Sequence, residues 1–137
     1  MSPEVQRQFE QAAECIEDAR ILLENERLAA AVTRIYYAMF HAATGALLAQ
    51  GVQRRSHHAL LAAFGQSFIK TGQLDERFYQ DLRAAFERRQ QADYEATVDI
   101  DHPAAARLLD QAMDFVDACR RLTLLFGPAN GSDSVDT

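Results

Sequence analysis

The sequence predicts an all-α fold, a five-helix up-and-down bundle, and three observations carry that reading. Apolar residues recur at three- and four-residue steps along most of the chain, the period of a helix and not the alternation of a strand. Capping residues and helix stoppers break that period at regular intervals. One segment, LAAAVTRIYYAMFHAATGALLAQ, is apolar almost all round, as the central helix of a bundle is. The 137 residues suit one domain, expected over 1–126, which can bury a core without disulfides or a structural metal.

The first helix is expected over about 3–25, where Val5, Phe9, Ala12, Ile16, Ala19 and Leu23 share a face. Ser2 and Pro3 supply its cap and first-turn proline. The second covers about 27–50 and stops at Gly51. Ser56 caps a third over about 57–70, ended by Thr71 and Gly72, and Asp75 caps a fourth over about 76–92. An irregular acidic stretch from Tyr94 to Asp101 follows. Asp101 and Pro103 then open a fifth helix that runs to about 126. The remainder, GPANGSDSVDT at 127–137, has no apolar content to bury and is expected to be a disordered tail.

Charge and composition remove several classes. The net charge of −6 argues against coating nucleic acid by bulk charge. Its distribution is uneven: residues 1–26 carry −5, residues 27–90 carry +5, and residues 91–126 return to −4. A locally basic middle suits a confined anion such as a phosphate, though uneven charge on helix surfaces gives the same pattern. Cys15 and Cys119 form no ligand motif and no disulfide framework, so they are expected to be small buried residues. The polar, acidic start is not expected to act as a signal peptide. Residues 35–50 come nearest to a membrane span, but His41, Thr44 and Gly45 interrupt them. A cytoplasmic protein without a membrane partner is the expectation.

Most site signatures are missing. The sequence has no CxxC, HExxH, glycine-rich phosphate loop or GxSxG. It also lacks the Glu-x-x-His pairs of di-iron bundles, and Asp99 and His102 only loosely imitate that spacing across a helix start. No metal and no cofactor are expected. Two polar intrusions into apolar faces remain. On helix 2, Thr33, Arg34, Tyr37, His41 and Thr44 fall within a stripe about 100° wide, which either fixes helix register or serves a site.

The second intrusion is on helix 4, whose inward face is Phe78, Leu82, Ala85 and Phe86. With Phe78 at zero, Arg89 falls at about 20°, Asp93 at about 60° and Arg88 at about 280°. Arg89 therefore points toward the core and needs an anion beside it. Asp93, four residues on, is one such anion, and a phosphate arriving at a cleft is the other. His57 and His58, at the start of helix 3, can move a proton near neutral pH if the fold brings one of them to Arg89.

Three segments together resemble a known family: RIYYAMFHAATGALLAQGV (34–52), RSHHALLAAFGQSFIKTGQLD (55–75) and FERRQQADYE (86–95). In this order and spacing they are similar to the HEPN domain, in the small stand-alone prokaryotic branch called UPF0332, over about residues 8–120. The resemblance implies a five-helix bundle that is commonly a homodimer. It also implies a toxin-like protein working with a minimal nucleotidyltransferase as antitoxin. Many HEPN domains are metal-independent endoribonucleases with an Arg-x4–6-His motif. In them the arginine steadies the phosphate that a ribose 2′-hydroxyl attacks, and the histidine moves a proton. A non-catalytic module that binds a nucleotide or a partner is the alternative.

The motif departs from that pattern at its histidine. Counting from Arg89, the residue in that place is Tyr94, whose reference pKa of about 10 makes a poor base at neutral pH. Arg34 and His41 match the spacing, but both lie in helix 2. The candidate catalytic residues are therefore Arg89 and His57. Arg89, Asp93, Tyr94, Arg55 and Tyr37 form the candidate set for an RNA or nucleotide phosphate. The resemblance implies a further option, in which a partner enzyme adenylylates a motif tyrosine, here Tyr94. A homodimer is further expected from helix 5, where apolar residues from Leu108 to Phe126 spread over roughly half the circumference.

Overall fold

The structure is a computed structural model in which residues 1–94 and 99–125 are described, Tyr94 by its backbone alone. Five α-helices follow one another: α1 (Pro3–Glu24), α2 (Leu28–Ala49), α3 (His57–Phe64), α4 (Glu76–Tyr94) and α5 (His102–Leu125). No strand occurs among the described residues. The expected tail at 127–137 lies outside them.

The predicted caps close the helix ends. The Ser2 hydroxyl accepts from Val5 N at 3.2 Å, and the Ser56 hydroxyl accepts from Ala59 N at 3.0 Å. Asp75 accepts from Arg77 N and Asp101 from Ala104 N, each at 2.9 Å. Gly51 ends α2 at φ 78°, a left-handed conformation that glycine adopts without a Cβ clash, and Val52 N bonds back to Leu47 O at 2.9 Å. The third helix departs from expectation. Its α-helical part stops at Phe64, and Gly65–Ile69 forms a π-helical turn, with Lys70 N bonding to Gly65 O at 3.0 Å. Apolar spacing over one turn cannot distinguish the two ladders.

Helix α2 is the centre of the molecule and packs against α1, α3, α4 and α5. It buries eleven residues, among them Ile35, Tyr36, Met39 and Leu47. Helix α5 runs antiparallel to α1: His102 meets Glu26 at one end, and Arg120 lies over the Phe9 ring toward the other. Close approach of α1 to α2 depends on Gly45, where a Cβ would stand 2.9 Å from Phe9 Cε2. Along α1 the buried stripe is Val5, Phe9, Ala12, Cys15, Ala19 and Leu23, so Cys15 takes the interior place and Ile16 is only half-buried.

The broad apolar face of α5 is largely consumed within this one bundle. Leu109, Ala112, Phe115, Cys119 and Leu122 are interior, and Leu108 and Val116 lean against the core. Met113, Leu124 and Leu125 remain exposed, and Phe126 lies outside the described residues. Among the described residues no helix is long and apolar enough to cross a membrane.

Candidate functional site

The polar residues of α2 divide between two seams, because successive positions on a central helix face different neighbours. Toward α1, His41 Nδ1 lies 2.8 Å from Gln8 Oε1, and Arg34 Nη2 donates to Cys15 Sγ at 2.7 Å. Arg34 Nε also stands 3.8 Å from the Asp18 carboxylate. Thr33 and Thr44 donate to carbonyls one turn back. Burial, with the nearby Arg34 charge, lowers the His41 pKa and keeps the ring neutral. Burial also pushes the Cys15 thiol up, so the pair is a thiol beside a guanidinium. Most of the stripe is thus a register-fixing seam.

The second seam lies between α2, α3 and α4. The Ser56 cap holds the first turn of α3, and His57 from that turn enters an aromatic cluster. Its ring stacks on Phe40 from α2 (centroids 4.9 Å apart) and on Phe86 from α4 (5.5 Å). Tyr36 Oη lies 2.6 Å from His57 Nδ1. Burial raises the Tyr36 hydroxyl far above its ordinary range, against the opposing pull of Arg89, so the phenol stays protonated. Burial, then the Arg89 charge, then His58 lower His57, which is therefore a neutral imidazole at pH 7. Two proton arrangements follow. With His57 Nδ1–H donating to Tyr36, the far nitrogen Nε2 accepts a proton; with Tyr36 donating, Nε2 carries one.

Arg89 projects from α4 toward the same cluster, as the helical geometry predicted. Its Cζ lies 5.3 Å from the Tyr37 ring centroid, and its Nη2 stands 3.2 Å from Asp93 Oδ2. The Arg89 side chain is 23% exposed and Asp93 is 47% exposed, so this pair sits at the rim of the bundle and not within it. Arg88 faces away and donates to the Asp99 carbonyl at 3.4 Å, bracing the connection between α4 and α5.

Of the residues singled out from sequence, Arg89, His57 and Tyr37 come together, and Asp93 joins them through Arg89. Arg55 is exposed two residues before His57, and no described contact ties it to the cluster. The Tyr94 side chain lies outside the described residues. Tyr36 was missed: it is one residue from the polar stripe and reads as a core aromatic. The available signal was its hydroxyl, since a buried phenol needs a hydrogen-bond partner. Shallow hollows along α1, beside Arg88 and beside Tyr79 are lined by none of the cluster residues. Among the described residues no group of three or more His, Cys, Asp or Glu is placed to hold a metal.

Comparison with known proteins adds three findings. A family model described as the HEPN domain matches residues 5–122. A UPF0332 protein of Thermotoga maritima is 39% identical over 111 residues, which is 81% of this chain and 84% of that protein. Two Methanocaldococcus jannaschii proteins, each named "Putative toxin", are 32% and 30% identical over 118 residues. Those alignments span 86% of this chain, and 80% and 87% of the two relatives.

Proposed function

Since the chain belongs to the HEPN domain family, we propose that it is the toxin-like member of a toxin–antitoxin pair and cleaves RNA without a metal. Its antitoxin in this reading is a minimal nucleotidyltransferase, and Tyr94 is the tyrosine that such an enzyme modifies. The observation that carries the reading is the meeting of Arg89 and a neutral His57 at Tyr37, on three different helices. Two relatives named as toxins support the biological role.

The chemistry follows from the parts. An RNA phosphate displaces Asp93 from Arg89, whose guanidinium spreads over two non-bridging oxygens. His57 Nε2, in the tautomer that donates Nδ1–H to Tyr36, takes the proton of the ribose 2′-hydroxyl. The 2′-oxygen bonds to phosphorus, and charge that builds on the phosphoryl oxygens is met by Arg89. The 5′-oxygen leaves and receives the proton from the His57 imidazolium. The products are a 2′,3′-cyclic phosphate and a 5′-hydroxyl. Arg55, exposed near His57, draws the flanking backbone toward the site. Activity belongs to a homodimer in this reading.

A second reading, a non-catalytic module that binds a nucleotide or a partner enzyme, is favoured by one observation. His57 is packed among the rings of Tyr36, Phe40 and Phe86, a surrounding that also suits a structural histidine. Incubation of the purified protein with RNA in EDTA separates the two. Cyclic phosphate ends that vanish in both Arg89→Ala and His57→Ala establish the nuclease. RNA or nucleotide binding without strand breaks establishes the module.

A further inference from the structure

Among the described residues, the buried side-chain polar atoms without a hydrogen-bond partner are Arg34 Nε and Arg89 Nε. An orphaned donor of this kind is costly and rare, so two demand a reason. They are not scattered. Both guanidinium groups lie against one ring: Arg89 Cζ is 5.3 Å and Arg34 Cζ 6.0 Å from the Tyr37 centroid. They reach it from different helices, α4 and α2. Each cation is attracted to the ring face, but two like charges around one half-buried phenol repel each other, and anions close by relieve that repulsion. The anions present are loose ones. Asp93 is 47% exposed, and Asp18 is 56% exposed and 3.8 Å from Arg34, beyond hydrogen-bond length. Neither carboxylate contacts the orphaned nitrogens as a hydrogen-bond acceptor.

We propose that Arg34 and Arg89 form a two-arginine clamp about Tyr37 that holds two successive phosphates of one nucleic-acid strand. The inference rests on the reading of Arg89 as a phosphate-holding residue and extends it to the ligand's class. A strand bearing two phosphates fills the site, and a ligand with a single phosphate fills half of it. The Arg34 guanidinium suits the task because its side chain is 38% exposed and Cys15, a weak acceptor, is its hydrogen-bond partner. A phosphate offers oxygens in the plane of the guanidinium fork, which a thiol does not. As phosphate enters, Asp18 and Asp93 move out into water, where their hydration costs little.

The test uses the full chain and two deoxydinucleotides, which lack the 2′-hydroxyl and so cannot be cleaved by the proposed chemistry. One, dApdA, carries a single phosphate; the other, pdApdA, carries two. Calorimetric titration is expected to show about tenfold tighter binding of pdApdA, the scale of one charge-assisted contact. Arg34→Gln erases that preference and leaves dApdA binding unchanged, whereas Arg89→Gln weakens both. Should Arg34→Gln fail to fold, Asp18→Asn decides. This exposed change frees Arg34 and tightens pdApdA alone, and unchanged binding overturns the clamp. Equal affinity of the two probes for the unaltered protein, or equal weakening of both by Arg34→Gln, also overturns the clamp while leaving the Arg89 site standing. No binding of either probe overturns the phosphate reading of Arg89 and the clamp together.

Discussion

Tyr36 Oη and His57 Nδ1 lie 2.6 Å apart, a contact that ties the first turn of α3 to the centre of α2. The consequence reaches beyond packing. A hydroxyl that burial keeps protonated occupies Nδ1 of a neutral imidazole in either proton arrangement and leaves Nε2 as the nitrogen that can face a ligand. Tyr36→Phe removes that partner while keeping the ring stack. It leaves a half-buried imidazole nitrogen without a partner, at a cost of about 1–3 kcal/mol in a urea melt. Nitrogen chemical shifts of His57 should then report a tautomer ratio different from that of the unaltered protein. An unchanged tautomer ratio counts against Tyr36 as the group that orients His57.

Two histidines make the fold sensitive to acid. Burial is the leading cause that lowers both His41 and His57, so each binds its proton less readily in the native state than in the unfolded chain. Stability is therefore fully present above the unfolded histidine pKa of about 6.5 and declines as pH falls through it. Urea midpoints measured from pH 7.5 to 5 are expected to drop, and the drop should shrink in His41→Gln. A midpoint that rises on acidification contradicts neutral burial of these rings.

Gly45 sets the spacing of α1 and α2. An alanine Cβ there would stand 2.9 Å from Phe9 Cε2 and 3.2 Å from Gln8 Cβ. Gly45→Ala brings about 1 kcal/mol of helix propensity but forces these neighbours aside. Overpacking of about 1–3 kcal/mol outweighs that gain, and the thermal midpoint should fall. Gly51, at φ 78° with nothing near its Cβ direction, tests a different property, backbone strain without a clash. A Gly45→Ala protein more stable than the original would show that α1 can shift freely on α2.

Helix number, order and caps were legible in the sequence because each rests on local chemistry: a serine or aspartate before an apolar period, a glycine after it. The inward turn of Arg89 was legible for the same reason, since 100° per residue places it beside the buried Phe78 and Phe86. What escaped was whatever depends on two helices at once. Burial of Cys15 was expected, but its contact with Arg34, 19 positions away on α2, was not. The pairing of Tyr36 with His57 joins residues 21 positions apart, and no spacing rule encodes that distance. The π-helical turn at Gly65–Ile69 is equally silent, since its side chains occupy positions that an α-helix also serves.

Arg89 and Arg88 are adjacent in sequence and opposite in setting, which makes them a matched pair for the last prediction. Helical geometry alone left open a buried ion pair with Asp93, whose rupture costs about 3–5 kcal/mol. The structure places Asp93 47% exposed, so a carboxylate that loses Arg89 is hydrated by solvent. Arg89→Ala also removes an orphaned buried donor. Its net effect on a urea melt is expected to be about 1 kcal/mol or less, as for rim ion pairs. Under the proposed function, RNA binding and growth arrest should nevertheless be lost. Arg88→Ala breaks a long contact to the Asp99 carbonyl and should leave both properties nearly intact. The two variants are compared by melting and by growth on induction. A folded, inert Arg89→Ala beside an active Arg88→Ala fits a phosphate site at Tyr37. An Arg89→Ala protein that melts several kcal/mol earlier yet still arrests growth makes Arg89 a structural residue, and the site then lies elsewhere on the bundle.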